Sequence, residues 1–119
     1  MSAEKPYLSV IIPSYRESTR IGKNLLEIEN YLSTKNYTYE VIVITDGSPD
    51  DTPEVARSFG DKVKNLRVIQ NIDNHGKGYV VRQGLLEAKG ELRLFLDADG
   101  STSITHLDSF ISEFEKGND

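Results

Sequence analysis

LRLFLDADGST, residues 92–102, is the stretch on which the reading of the fold turns. A mainly apolar run, Leu92 to Leu96, ends in two carboxylates, Asp97 and Asp99. Burying a strand end that carries unpaired like charges is costly. The stretch therefore predicts a strand that leaves the core at a wet edge or meets a positive group there. Side chains two apart on an extended backbone point the same way. Two carboxylates aimed together repel unless a cation or a proton intervenes. A hard divalent ion, Mg2+ or Mn2+, takes oxygen ligands and often only one or two from protein, with water and phosphate supplying the rest. Asp97 and Asp99 are thus candidates for a metal–phosphate role.

Working outward, the same theme recurs. Leu8, Val10, Ile11 and Ile12 form a short, nearly continuous apolar run that suits a strand buried on both faces, and Pro13 is expected to end it. Val41 to Ile44 is a second such run, followed by Asp46 and Gly47, and LRVIQNI (66–72) is a third. Between them lie helical periods. Ile21, Leu25, Ile28 and Leu32 mark one apolar face, with Ser18 or Thr19 as its expected cap. Thr52-Pro53 opens a short helix expected to end near Gly60. Val81, Leu85 and Ala88 are the expected buried face of a helix running to Lys89 and stopped by Gly90. Ile104, Leu107, Ile111 and Phe114 mark a last amphipathic helix. Strands that alternate with helices in this way predict an α/β fold with a mainly parallel sheet flanked by helices. The 119 residues fit one domain, with no internal repeat and no linker.

Composition narrows the function classes. A formal net charge of −5 argues against general affinity for nucleic acid or anionic lipid. With no Cys and only two His, a zinc site of the usual ligands is not expected, and His75 and His106 read as loop and surface residues. No apolar run approaches the roughly 18 residues of a membrane span, and the first residues lack the apolar core of a signal peptide. These features predict a cytoplasmic location.

In an open parallel sheet, ligands bind outside the carboxyl ends of the strands. Pro13, Ser14, Tyr15 and Glu17 follow the first strand; Asp46, Gly47 and Ser48 the second; DNHGKG (73–78) the third; Asp97, Asp99 and Ser101 the fourth. Each group alone has an ordinary explanation: Glu17 would favour a helix dipole, Asp46-Gly47-Ser48 would make a turn, and Lys77 would be a solvated loop charge. Together they predict a site. Three phosphate or metal motifs fail. From Asp97 an EF-hand would need Gly at Thr102; a phosphate loop would need a hydroxyl at Gly78; a dinucleotide fingerprint would need a small residue at Val81. The backbone amides of HGKG are still placed to approach an anion closely.

LSVIIPSYRES, YEVIVITDGSPDDT, NHGKGYVVRQGLLEAKGE and LFLDADGS, taken in order and spacing over nearly the whole chain, resemble the family 2 glycosyltransferases with a GT-A fold. GKG with VRQG and DADGST most resembles the dolichyl-phosphate β-glucosyltransferases and their bacterial polyprenyl-phosphate relatives. The resemblance implies a nucleotide-diphosphate sugar as donor, UDP-glucose in preference and GDP-mannose as the alternative. It implies transfer with inversion to a polyprenyl or dolichyl phosphate, with a hydroxyl acceptor in polysaccharide synthesis or a non-catalytic nucleotide-binding portion as other readings. Pro13, Tyr15 and Glu17 match a motif that lines the nucleoside pocket, and Asp46 matches the acid that contacts the base. Gly76 and Lys77 lie in a loop near the nucleotide, and Arg82 matches an Arg that reaches the donor. Asp97 matches the first acid of the DxD motif, near ribose and metal; Asp99 matches the ligand of Mg2+ or Mn2+ on the diphosphate; Ser101 is a weaker ligand candidate. The 119 residues then correspond to a donor-binding portion with little activity alone. The acceptor half and any membrane attachment at the cytoplasmic face would lie outside them.

Overall fold

A computed structural model describes residues 5–97 and residue 104. Its elements alternate as β1 (Leu8–Ser14), α1 (Ile21–Leu32), β2 (Tyr39–Asp46), α2 (Thr52–Arg57), β3 (Leu66–Asn71), α3 (Lys77–Glu87) and β4 (Leu92–Phe95). The four described strands make one sheet in the order β3-β2-β1-β4, and every pairing is parallel. All their carboxyl ends therefore lie along one edge.

The continuous apolar runs of β1 and β2 are explained by burial on both faces. Leu8, Val10, Ile12, Val41 and Val43 face a core shared with Ile21, Leu25, Ile28 and Leu32 of α1 and Ala56 of α2. Ile11, Ile42 and Ile44 face a second core with Val80 and Ala88. The outer two of the described strands, β3 and β4, are only partly buried, and they carry Arg67, Gln70 and Arg93. Ile104 is buried in the α1 core, whereas Leu107, Ile111 and Phe114 of the expected last helix lie outside the described residues.

Several local expectations are corrected. Pro13 does not end β1, which pairs with β2 as far as Ser14↔Thr45. Pairing with β4 stops at Ile11↔Phe95, and the Ile11 carbonyl accepts from the Leu96 N–H at 3.0 Å. Pro13, two residues on, turns its missing N–H toward that side, where no ladder bond is lost. Neither Ser18 nor Thr19 caps α1; Arg20 is the capping residue, without a side-chain cap bond, and Ser18 instead hydrogen-bonds Asp50. At α2, Asp51 takes the cap position ahead of Thr52, and the helix ends at Arg57 rather than near Gly60.

The buried face of α3 runs through Val80, Gly84 and Ala88, while Leu85 and Leu86 are exposed. A Cβ on Gly84 would come within 2.7 Å of Ile11 Cγ2 and 3.3 Å of Phe95. The helix lies so close to the sheet that its contact row is centred on a glycine, which an apolar count overlooks. Gly90 is not a helix cap, because Ala88 is already extended. It passes tightly over β1, and its N–H donates to Ser9 Oγ at 2.8 Å.

Candidate functional site

The carboxyl edge of the sheet opens into a cleft of about 390 Å³. Pro13, Ser14, Tyr15 and Glu17 come from the β1 end, Asp46 from β2, Asn74, Gly76 and Lys77 from the β3–α3 loop, Val80 from α3 and Asp97 from β4. Four separate strand ends thus meet at one cavity. Leu96 is still buried and Asp97 is exposed, so β4 leaves the core at a wet edge. Asp99 and Ser101 lie outside the described residues. Arg82 is not brought to this cleft; it lines a separate hollow along α3 with Tyr79, Gln83, Leu86 and Glu87.

Asp46 organises the cleft. It is 6% exposed. Its Oδ2 accepts the backbone N–H groups of both His75 and Gly76 at 2.8 Å, and its Oδ1 accepts from Asn71 Nδ2 at 3.0 Å. The His75 ring Nδ1 lies 3.3 Å from the same Oδ1. Asn71 is itself fixed by a reciprocal amide pair with Gln83, 2.8 Å in each direction. Burial pushes the Asp46 carboxyl upward, but the donors from Asn71, His75 and Gly76 outweigh it and hold the group below its ordinary value. The amides of HGKG do approach an anion, and that anion is the protein's own carboxylate. Gly76, at φ 92°, permits the bend that turns both N–H groups inward and delivers Lys77 to the first turn of α3.

A second network joins the β1 and β2 loops. Ser48 Oγ and Thr52 Oγ1 each donate to Asp50 Oδ1 at 2.6 Å. Their oxygens in turn accept the Arg16 N–H at 2.9 Å and the Glu17 N–H at 3.0 Å. Glu17 also forms an ion pair with Arg20. The hydroxyls of Ser48 and Thr52, against some desolvation and with help from the Thr52 N–H and Ser18, hold the Asp50 carboxyl far below the usual carboxylate range. A depressed carboxyl stabilises the fold above its unfolded value, near ~3.9, and loses that contribution as pH falls below it. Asp50→Asn is therefore expected to lower the urea midpoint at pH 7 and to flatten its decline between pH 5 and pH 3. Parallel pH profiles for wild type and variant would contradict this assignment.

Ser48 and Asn74 were read only as members of strand-end loops, and Asp50 with the clamp it forms on Ser48 and Thr52 was not expected. The signal was present in GSPDDT, where Asp50 precedes Thr52 by two residues, a spacing that favours side-chain-to-backbone turns. A larger hollow, about 560 Å³, lies at the opposite edge of the sheet beside Glu40. Glu40 is fully engaged there, by Ser9 Oγ at 2.6 Å, the Lys89 N–H at 2.7 Å and Arg67 at 3.3 Å, which gives it a structural role.

As donors for a divalent cation, the described residues supply one exposed carboxylate at the cleft, Asp97. Among them there is no cluster of three or more His, Cys, Asp or Glu side chains. That set fits a hard ion completed by water and phosphate oxygens, and does not fit an all-protein cage. No helix among the described residues is long and apolar enough to cross a membrane.

A parallel sheet with helices on both faces and a cleft at its carboxyl edge defines a doubly wound α/β protein. The model of the Glycosyl transferase family 2 matches residues 9–119, and the chain belongs to that family of enzymes. It is 44% identical over 108 residues to the dolichyl-phosphate beta-glucosyltransferase of Drosophila melanogaster, a match that covers 85% of this chain and 33% of the relative. The chain spans about a third of the length of the curated relatives it matches. Among solved structures it is similar to the mannosyltransferase PcManGT from Pyrobaculum calidifontis in complex with GDP-Man and Mn2+, at a TM-score of 0.68 and 28% identity, over 81% of this chain and 28% of that one. It is also similar to S. aureus TarS in complex with UDP-GlcNAc, at a TM-score of 0.66 and 31% identity, over 91% of this chain and 32% of that one. The sheet is that of the GT-A glycosyltransferases.

Proposed function

We propose that this chain forms the donor site of a glycosyltransferase that moves glucose from UDP-glucose to a polyprenyl or dolichyl phosphate, with inversion and with the help of Mg2+ or Mn2+. The observation that carries the reading is the meeting of four strand ends at one cleft, with Lys77, Asp97 and the buttressed Asp46 around it. Similarity to a dolichyl-phosphate beta-glucosyltransferase supports the lipid-phosphate acceptor and the glucose. Similarity to structures holding GDP-Man with Mn2+ and UDP-GlcNAc supports a nucleotide sugar and a divalent ion.

In this reading Pro13, Tyr15 and Glu17 line the nucleoside end of the cleft and Asp46 faces the base, while Gly76 and Lys77 border the phosphates. Arg82, which lies along α3, would reach the donor only from outside the cleft wall. Asp97 and Asp99 would hold the metal, with Asp99 the principal ligand, and the ion would supply Lewis-acid neutralisation of the charge on the leaving nucleoside diphosphate. An ionised lipid phosphate attacks without a general base, whereas a hydroxyl acceptor would need one. The acceptor contacts and attachment to the cytoplasmic face of a membrane belong to parts of the protein beyond the described cleft.

Calorimetric titration of the chain with UDP, UDP-glucose and GDP-mannose, with and without Mn2+, tests the reading. Uridine nucleotides are expected to bind more tightly than GDP-mannose and to gain affinity from Mn2+. Asp99→Ala is expected to abolish the metal-dependent gain, at least tenfold, while leaving metal-free binding in place. Metal-dependent binding unchanged in Asp99→Ala would overturn the ligand assignment. Absence of nucleotide binding by the wild type would overturn the donor site itself.

A further inference from the structure

Arg16 lies between two cleft-lining residues, Tyr15 and Glu17, in a conformation that few side chains adopt. Its φ is 54°, in the left-handed region that Gly and Asn occupy with least strain. The turn is imposed by the loop between β2 and α2, because the Arg16 and Glu17 N–H groups are captured by Ser48 and Thr52, whose hydroxyls are oriented by Asp50. Nothing in that clamp uses the Arg16 side chain. A small residue would make the same turn more cheaply, so the turn does not explain the arginine.

The side chain is exposed, and its guanidinium lies 5.4 Å from the ring centroid of Tyr15, which lines the cleft. Among the described residues it has no carboxylate within ion-pair distance. Arg20, the other arginine near this loop, is already committed to Glu17. Lys77 is the one cationic side chain among the cleft-lining residues described, against Glu17, Asp46 and Asp97. An ionised phosphate entering this cleft would need more positive charge than the lining supplies. Arginine presents a planar fork that matches phosphate oxygens, and stacking on an aromatic ring pre-orients it.

We propose that Arg16 is a substrate-binding residue that recognises an ionised phosphate group at the mouth of the cleft, held in reach by the Ser48–Asp50–Thr52 clamp. The proposal rests on the donor-site reading above and extends it to a specific anion contact. The phosphate belongs either to the nucleoside diphosphate or to the lipid acceptor, and the two arms of the test separate them.

The chain and its Arg16→Asn, Arg16→Gly and Arg16→Lys variants are titrated with UDP, uridine and farnesyl phosphate, and their thermal midpoints are measured. Asn and Gly accept the left-handed backbone, so the midpoint of Arg16→Asn is expected to equal or exceed that of wild type. Arg16→Asn and Arg16→Gly are expected to lose about tenfold in affinity for the phosphate-bearing ligand, as for one lost charge-assisted contact, with uridine binding unchanged. Arg16→Lys is expected to retain part of the affinity and all of its salt dependence. A loss confined to UDP assigns the donor phosphate, and one confined to farnesyl phosphate assigns the acceptor phosphate. Wild-type affinity for both in Arg16→Asn overturns the proposal, as does an equal loss for uridine, which would mark a change of cleft shape. If wild type binds none of the ligands, the donor-site reading falls and takes this proposal with it.

Discussion

Asp46→Ala is expected to lower stability by about 2–4 kcal/mol and to reduce UDP affinity more than tenfold, because each inward-facing donor it leaves unpaired costs about 1–3 kcal/mol. The donors are the His75 and Gly76 N–H groups and the Asn71 amide, all aimed at one nearly buried carboxylate. Without it they must turn to water, and the loop that carries Lys77 must move. Asp46→Asn keeps the shape but sets an N–H2 against donors and removes the charge, so its loss should fall between wild type and Ala. Urea denaturation and UDP titration of the three proteins check this order. A wild-type urea midpoint in the Ala variant would show that the loop is held by something else.

Gly47→Val is expected to be as damaging, for a steric reason. Gly47 has φ 68°, and a Cβ there would overlap the backbone nitrogen of Asn74 and come within 2.7 Å of the Asp73 carbonyl carbon. Neither is the yielding end of a flexible side chain. Strain of the backbone and displacement of the loop together predict a loss of about 3–5 kcal/mol. Gly78 supplies the control, since a Cβ there meets nothing within 4 Å and the residue lies in the first turn of α3. Gly78→Ala should therefore leave stability unchanged or raise it by no more than about 1 kcal/mol. Thermal or urea midpoints of the two variants distinguish a packed glycine from a free one. Equal effects at Gly47 and Gly78 would remove the case for close packing between the β2 turn and the β3–α3 loop.

These two residues show why the site was legible only in part. Asp46 and Gly76 were both singled out from sequence, as an acid for the base and a loop near the nucleotide. Their contact with each other spans 30 positions and is set by the parallel register of β2 and β3, which brings Asp46 beside Asn71. Local chemistry announces that a carboxylate stands at a strand end. It does not announce that two backbone N–H groups of the next strand's loop will close on it. Arg82 illustrates the converse. Its match to an Arg that reaches the donor implied a place near the nucleotide, and among the described residues it lines the hollow along α3 with Leu86.

What the sequence determined by itself was the alternation of strand and helix, the double burial of β1 and β2, and the exit of polar residues at the strand ends. Those follow from side-chain period and from the cost of burying charge, which act between near neighbours in the chain. LRLFLDADGST implied a strand that leaves the core at a wet edge or meets a positive group there, and Asp97 is exposed at that end. The tertiary structure alone decided the strand order β3-β2-β1-β4, the contact row of α3 centred on Gly84, and the two networks on Asp46 and Asp50 that brace the cleft. Each of these depends on partners brought together by sheet register and helix docking. A glycine that lets two backbones touch, or a carboxylate whose donors come from another loop, acquires its role only once those surfaces meet.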